Sequence, residues 1–306
     1  MNAAERTVDE LTALTARTRR YLRKVQAYAV VPDKPVVEVS YPCIVLNADD
    51  GHYPFTDDAT LRLAWARAQE LSKLTGIRAI YHVEHEGADY AGMSFFSQDY
   101  SADTLWEEEQ YCEQLRWKLA RYNRVILGKS NHMDRPTKHF IRDEATADQR
   151  AYQQATHEGP LDKLAAEHQG LVRVNSPVVQ IGDAVYCHFD DYLGMPGATV
   201  RRVWEHIGSN GYWRGVREPV RLIRAGHTHG IWEGELIGTT VVACEVGCGT
   251  WIQPYNAKAT KIKGYGRKPW FNAFVLDAFD KRGRAILDRC QLVKVGLARL
   301  PKWARK

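Results

Sequence analysis

Apolar positions fall into two spacing regimes along this chain. From Thr7 to Gln26, Val8, Leu11, Leu14, Thr18, Leu22 and Val25 recur at three- or four-residue steps, which predicts an amphipathic helix. Its polar side carries Arg17, Arg19, Arg20, Arg23 and Lys24, and Pro32 and Pro35 stop it. Asp57-Asp58 caps a second predicted helix that runs to about Leu74, where Gly76 ends it; a third spans roughly Asp103 to Tyr122. Between the helices lie short apolar runs, Cys43–Leu46, Ile77–Tyr81 and Arg124–Leu127, so strands and helices alternate through the first half. After Gly170 the pattern changes to short strands at Leu171–Val174, Val178–Ile181, Ala184–His188, Val220–Ile223, Ile231–Leu236, Thr239–Cys244 and Phe271–Ala278. The expected fold class is α/β: two sheets packed as a sandwich, helices outside, functional loops at one edge. Residues 1–36 read as an N-terminal helical arm and linker, 37–298 as the main domain, and 299–306 as a basic tail.

Polar residues with ligand chemistry cluster where those strands end. Asp50 and His52 follow Cys43–Leu46, and Glu86 and Asp89 follow the second strand. Asn131 and His132 follow the third, His188 closes the strand from Ala184, and His227 and His229 sit two apart after Val220–Ile223. Extended backbone sends residues i and i+2 to one face, so each spaced pair is expected to address one cluster. Oxygen and imidazole donors suit manganese, iron or zinc, and the lack of thiolates argues against a structural zinc site. His82 and His85 lie three apart, on opposite strand faces, and read as structural.

Five ordered segments carry a family resemblance: Asp50-Gly51-His52, Glu86-Gly87-Ala88-Asp89, Ser130-Asn131-His132-Met133-Asp134, His188, and Gly226-His227-Thr228-His229. The set resembles the calcineurin-like metallophosphoesterases. Asp50-Gly51-His52-Tyr53-Pro54-Phe55, Ser94-Phe95-Phe96 and Trp270-Phe271-Asn272-Ala273-Phe274 look most like the bacteriophage-type branch. The likeness spans roughly residues 40 to 290. It implies the two-sheet metallophosphoesterase sandwich and two divalent ions about 3.5–4 Å apart that share a hydroxide as nucleophile. Manganese is the expected metal, with iron, zinc or nickel as alternatives. By analogy Asp50, His52 and His229 hold one ion, Asn131, His188 and His227 the other, and Glu86 bridges them. His132 then stands by the leaving group as general acid or phosphate ligand, with Asp89 and Arg135 behind it or facing phosphate.

Two departures separate the chain from the family pattern. His85-Glu86 stands where the family has Gly-Asp, which adds a methylene to the bridging carboxylate, and Ser130 replaces a glycine. Glu86 therefore also reads as a solvated loop acid, and Asp89 as a cap on the turn before Ser94.

Composition bounds the remaining choices. The 306 residues carry a net charge of +5, a mild bias toward anionic partners. Between Val246 and Leu276 there is no acidic residue, while Lys258, Lys261, Lys263, Arg267 and Lys268 alternate with Trp251, Tyr255, Tyr265 and Trp270. That stretch reads either as a nucleic-acid groove or as a solvated loop with its aromatics in the core. The six cysteines lack C-x-x-C spacing and are expected as buried free thiols. No apolar run approaches membrane-spanning length, no signal-peptide pattern opens the chain, and a cytoplasmic setting (a host's, for a phage protein) is expected. The expected activity is phosphodiester hydrolysis on a phosphoester partner such as nucleic acid or a nucleotide. A phosphomonoesterase or protein phosphatase, and a catalytically weakened binding protein, are the alternatives.

Overall fold

Cys43–Asn47 is buried along its whole length, with every side chain sequestered on one face or the other. That explains its apolar run from Cys43 to Leu46, since a strand covered on both faces favours an apolar side chain at every position that has no buried polar partner. In a computed structural model of the chain, residues 35–89, 104–130, 132, 160–188, 197–208, 215–217, 219–250 and 270–298 are described. The expected N-terminal helix, the basic tail, Asn131, Arg135, Ser94 and residues 258–268 lie outside them.

The described elements run β1 (Cys43–Asn47), α1 (Asp58–Thr75), β2 (Ala79–Glu84), α2 (Thr104–Leu119), β3 (Arg124–Leu127), α3 (Pro160–Glu167), β4 (Leu171–Arg173), β5 (Val178–Ile181), β6 (Ala184–Cys187), α4 (Ala198–Gly208), β7 (Leu222–Ala225), β8 (Ile231–Glu235), β9 (Val242–Val246), β10 (Phe271–Phe279) and β11 (Gln291–Leu297). They form a six-stranded sheet, ordered β11-β10-β1-β2-β3-β4, and a five-stranded sheet, ordered β5-β6-β7-β9-β8. Strands β1 to β4 pair in parallel, as the alternation of strands and helices requires.

The layers follow from which side chains share a face. Ile44 and Leu46 of β1 point to the helix side, where Leu61, Ala64, Ala68 and Leu71 of α1 and Tyr111, Cys112 and Leu115 of α2 meet them. Cys43 and Val45 point the other way, into the space between the sheets, with Tyr81, Val83 and Ile126. Val179, Ile181, Tyr186 and Leu222 fill that space from the second sheet. Its outer face is covered by Val200 and Val203 of α4. The fold is therefore a two-sheet α/β sandwich with helices outside. Among the described residues, no helix is long and apolar enough to cross a membrane.

The ends of α1 form where the sequence marks them. The Asp57 side chain accepts from the Ala59 amide, and Gly76 takes the left-handed backbone (φ 72°) that lets its N–H close on Ser72. Two strands run further than their apolar pattern. β2 continues past the expected Tyr81 to Glu84 because its polar positions are paired in the interior. Glu84 accepts from Tyr111 Oη at 2.8 Å, lies 3.0 Å from His82 Nε2 and contacts the buried Lys118 ammonium. β7 sits two residues later than expected, since its buried Arg224 also has a partner across the sandwich. The guanidinium donates to both oxygens of Asp277 on β10, at 2.6 and 3.0 Å, and Tyr186 Oη donates to the same carboxylate at 3.1 Å. α3, α4 and β11 were not expected from the pattern. The six cysteines are free thiols, five buried and Cys290 half-buried.

Candidate metal centre

The carboxyl ends of β1, β2, β6 and β7 face one another, and four loops converge there. Among the described residues, those other than glycine with positive φ are Asp50 (54°), His52 (46°), His227 (76°) and His229 (52°). This conformation is rare for side-chain-bearing residues and costs about 1–3 kcal/mol each. It also corrects the reason for their convergence. β1 ends at Asn47 and β7 at Ala225, so the spaced pairs are not on extended backbone at all. Left-handed turns, not strand alternation, bring them inward.

Five side chains form one buried nest. His229 Nε2 lies 3.4 Å from Asp50 Oδ1 and 3.1 Å from His52 Nε2. His52 Nε2 lies 3.7 Å from Asp50 Oδ1 and 3.3 Å from Glu86 Oε2. His188 joins from the second sheet, with Nδ1 3.6 Å from Asp50 Oδ1 and Nε2 3.7 Å from Glu86 Oε1. Three overlapping triads could each hold a metal ion: Asp50, His52 and His229; Asp50, Glu86 and His188; and His52, Glu86 and His132. Glu86 is 1% exposed, so it is not a solvated loop acid.

His132 and Asp89 close one side. The His132 amide donates to Glu86 Oε1 at 3.0 Å. One carboxylate oxygen, Asp89 Oδ1, stands 2.7 Å from His132 Nδ1 and 2.9 Å from His52 Nδ1. Asp89 thus orients two imidazoles through their Nδ1 atoms, with both Nε2 atoms turned toward Glu86 Oε2, at 3.3 and 3.6 Å. His227 is placed differently from His229. Its amide donates to Asp50 Oδ2 at 2.7 Å, and its ring meets that of His188 edge-on at 5.2 Å, outside the three triads. Asn131 and Arg135 lie outside the described residues.

The electrostatics show what the nest needs. Burial pushes the Glu86 carboxyl up, but His132, His188 and His52 outweigh it and hold it at about 2. Burial likewise opposes ionisation of Asp50, and His188 and His229 bring it well below the usual carboxylate range. The reciprocal effect raises His52, despite its burial, to about 10, chiefly through Glu86. His188, also against the effect of burial, rises to about 10 through Glu86 and Asp50. Burial and the neighbouring His188 push His227 down to about 3. The carboxylates are buried charges that demand cationic partners, which protonated imidazoles or metal ions can supply.

Several atoms favour metal ions. Asp50 Oδ1, Glu86 Oε2, both ring nitrogens of His188 and His229 Nδ1 are buried without a hydrogen-bond partner. Orphaned buried polar atoms are costly, and the carboxylate oxygens of Asp50 and Glu86 with one lone-pair nitrogen of His188 point to a ligand that accepts lone pairs. Carboxylate and imidazole donors in this mixture fit first-row divalent cations.

Three contributors carried no clear signal in the sequence. Asp49, 1% exposed, accepts from the His85 amide at 2.8 Å and lies 3.2 Å from His85 Nδ1 and 3.6 Å from His188 Nδ1. The His85 ring in turn stacks on that of His188, with centroids 6.1 Å apart. Trp270 packs edge-on to His229 with ring centroids 4.1 Å apart. The doublet Asp49-Asp50 was a visible hint for the first, but nothing in it separates the ligand from its neighbour.

No protein-family model matches the chain, and no curated protein matches it. Among solved structures it is similar to one described as the crystal structure of a novel phosphatase from Mycoplasma pneumoniae. The identity is 11% and the TM-score 0.42, with 88% of this chain and 98% of that chain covered. A likeness this distant carries neither fold nor activity across.

Proposed function

We propose that this chain is a metal-dependent phosphoester hydrolase of the calcineurin-like type, acting on phosphodiesters through two divalent ions. The observation that carries it is the nest of orphaned ligand atoms on Asp50, Glu86, His188 and His229, buried at the meeting point of both sheets. The order of the five sequence motifs supports the same assignment.

In this scheme Asp50, His52 and His229 would hold one ion. His188, with His227 and Asn131, would hold the other, and Glu86 would serve both. Such a pair, manganese by preference, would polarise a phosphoryl oxygen and lower the pKa of water at the site. The chain itself supplies placement and a proton. Asp89 accepts a hydrogen bond from Nδ1 of His132, which fixes the ring and stabilises its imidazolium form, so that the Nε2–H can protonate the leaving oxygen as general acid. The same carboxylate oxygen accepts from Nδ1 of His52, whose unprotonated Nε2 would then be a ligand, so one carboxylate orients both a ligand and the acid. Burial of the nest keeps these groups preorganised for charge that develops in the transition state. The basic and aromatic stretch from Lys258 to Trp270 supports a nucleic-acid or nucleotide substrate.

The test is hydrolysis of bis-p-nitrophenyl phosphate with added Mn²⁺, beside p-nitrophenyl phosphate, by the full chain and by His132→Ala. The expected result is diester turnover that falls about 10²–10⁴-fold in His132→Ala while bound manganese is retained. Equal loss of metal and rate would remove the acid role. Faster monoester turnover would make the protein a phosphomonoesterase. No turnover despite bound metal would leave a binding protein.

A further inference from the structure

We propose that Asp49, one residue before the expected ligand Asp50, is the positioning residue of the Glu86–His188 half of the centre. The proposal rests on the metal reading above and deepens it. Its carboxylate does two separate things. Oδ1 accepts the His85 amide at 2.8 Å and so ties the exit of β2, immediately before Glu86, to the exit of β1. Oδ2 faces His85 Nδ1 at 3.2 Å and His188 Nδ1 at 3.6 Å. Asp49 thereby sets the backbone that launches Glu86. Its charge stands beside the His188 nitrogen opposite the one facing Glu86, within reach of it but not hydrogen-bonded, and matched by Asp50 Oδ1 at the same 3.6 Å. A carboxylate on the far nitrogen of a ligating imidazole fixes its tautomer and ring angle, and such partners typically matter 10–100-fold in metal affinity.

The surrounding residues are shaped to this one carboxylate. A Cβ on Gly226 would stand 2.4 Å from Asp49 Oδ2 and 2.9 Å from His188 Nδ1, so only glycine lets the β7 loop close over the pair. A Cβ on Gly128 would stand 2.1 Å from His85 Cδ2, so that glycine makes room for the ring Asp49 holds. Asp49 carbonyl oxygen also accepts the Gly249 amide at 3.0 Å, which anchors the residue from a third side. His85 and Asp49 thus form a fitted pair, which gives His85 a role at the place where the sequence departs from the Gly-Asp pattern.

The experiment is a Mn²⁺ titration of the full, chelator-stripped chain, with free Mn²⁺ followed by electron paramagnetic resonance. The natural chain, Asp49→Asn and Gly226→Ala are compared. Asn keeps an oxygen for the His85 amide but removes the charge, and Ala pushes on the same carboxylate without changing charge. The expected result is two sites in the natural chain, with one weakened about 10–100-fold in both variants and the other unchanged. Equal titrations for all three proteins would overturn the Asp49 assignment and leave the metal reading standing. No binding by the natural chain would overturn both. A uniform loss of both ions, or an Asp49→Asn chain that does not fold, would make Asp49 part of the scaffold and overturn the proposal as well.

Discussion

The ion pair between Arg224 and Asp277 gives the sharpest test of how the two sheets are held in register under the site. Arg224 is on β7, which launches His227 and His229, and Asp277 is on β10 of the opposite sheet. Both are buried, at 1% and 0% exposure, and the guanidinium meets the carboxylate at both oxygens. Asp277→Asn keeps the shape but leaves a buried guanidinium with no countercharge. Breaking one partner of a buried pair costs about 3–5 kcal/mol. At about 2–4 °C per kcal/mol for chains near this size, melting should fall by roughly 10 °C. Urea unfolding followed by circular dichroism reads the difference directly. Removing the whole group should be far milder: Arg224→Met, Asp277→Leu and Tyr186→Phe together delete the charges and the hydroxyl that donates to Asp277. That triple variant should be as stable as the natural chain or about 1–4 kcal/mol more stable. A single Asp277→Asn change that costs under about 1 kcal/mol, a surface-pair value, would refute the assignment of a desolvated clamp.

Three further outcomes follow from the same contacts. Metal removal with a chelator and return of Mn²⁺ at a hundred times its dissociation constant should add about 2.7 kcal/mol of stability, and an unmoved melting curve would deny a built site. Glu86→Asp should weaken Mn²⁺ binding, because the longer side chain both accepts the His132 amide on Oε1 at 3.0 Å and carries the unpartnered Oε2 to 3.3 Å from His52 Nε2, where the ligands gather. Binding as tight as in the natural chain would mean the extra methylene is incidental. Glu84 should contribute to the acid limb of stability. Burial raises its carboxyl, but Lys118 and His82 outweigh that and hold it at about 2, below its unfolded value of ~4.3. A depressed carboxyl stabilises fully above its unfolded value and progressively less as pH falls through its folded value. The stability gap between the natural chain and Glu84→Gln should therefore be widest near neutrality and shrink from about pH 4.5 toward pH 2. A gap independent of pH would remove Glu84 as the titrating partner.

The fold class was legible because its signals are local. Asp57 and Gly76 bracket α1 by capping chemistry that acts within a few residues. The run from Cys43 to Leu46 announced a strand buried on both faces. Boundaries failed where a polar residue is reconciled with burial by a partner distant in sequence. Glu84 belongs inside β2 only because Lys118 is waiting on α2, and Arg224 inside β7 only because Asp277 arrives 53 residues later. A pattern of apolar positions cannot register either pairing, so it stopped early at one strand and began early at the other.

The candidate site divides along the same line between chemistry and geometry. Which residue types could bind a cation was plain, because aspartate, glutamate and histidine recurred after successive strands. How they meet was not, since Asp50, His52, His227 and His229 converge through left-handed backbone that their side chains disfavour. Conformations of that cost persist only where surrounding contacts over-determine them. Here the amide of His227 closes on Asp50 Oδ2 at 2.7 Å, and the amide of Phe271 on the carbonyl of His229 at 3.0 Å. Gly226, which reads in sequence as one letter of a motif, is the position where such closure leaves no room for a methyl group. The strain and the tight fit point the same way: the loops are held in a geometry that serves the cluster of lone pairs rather than their own backbone preferences.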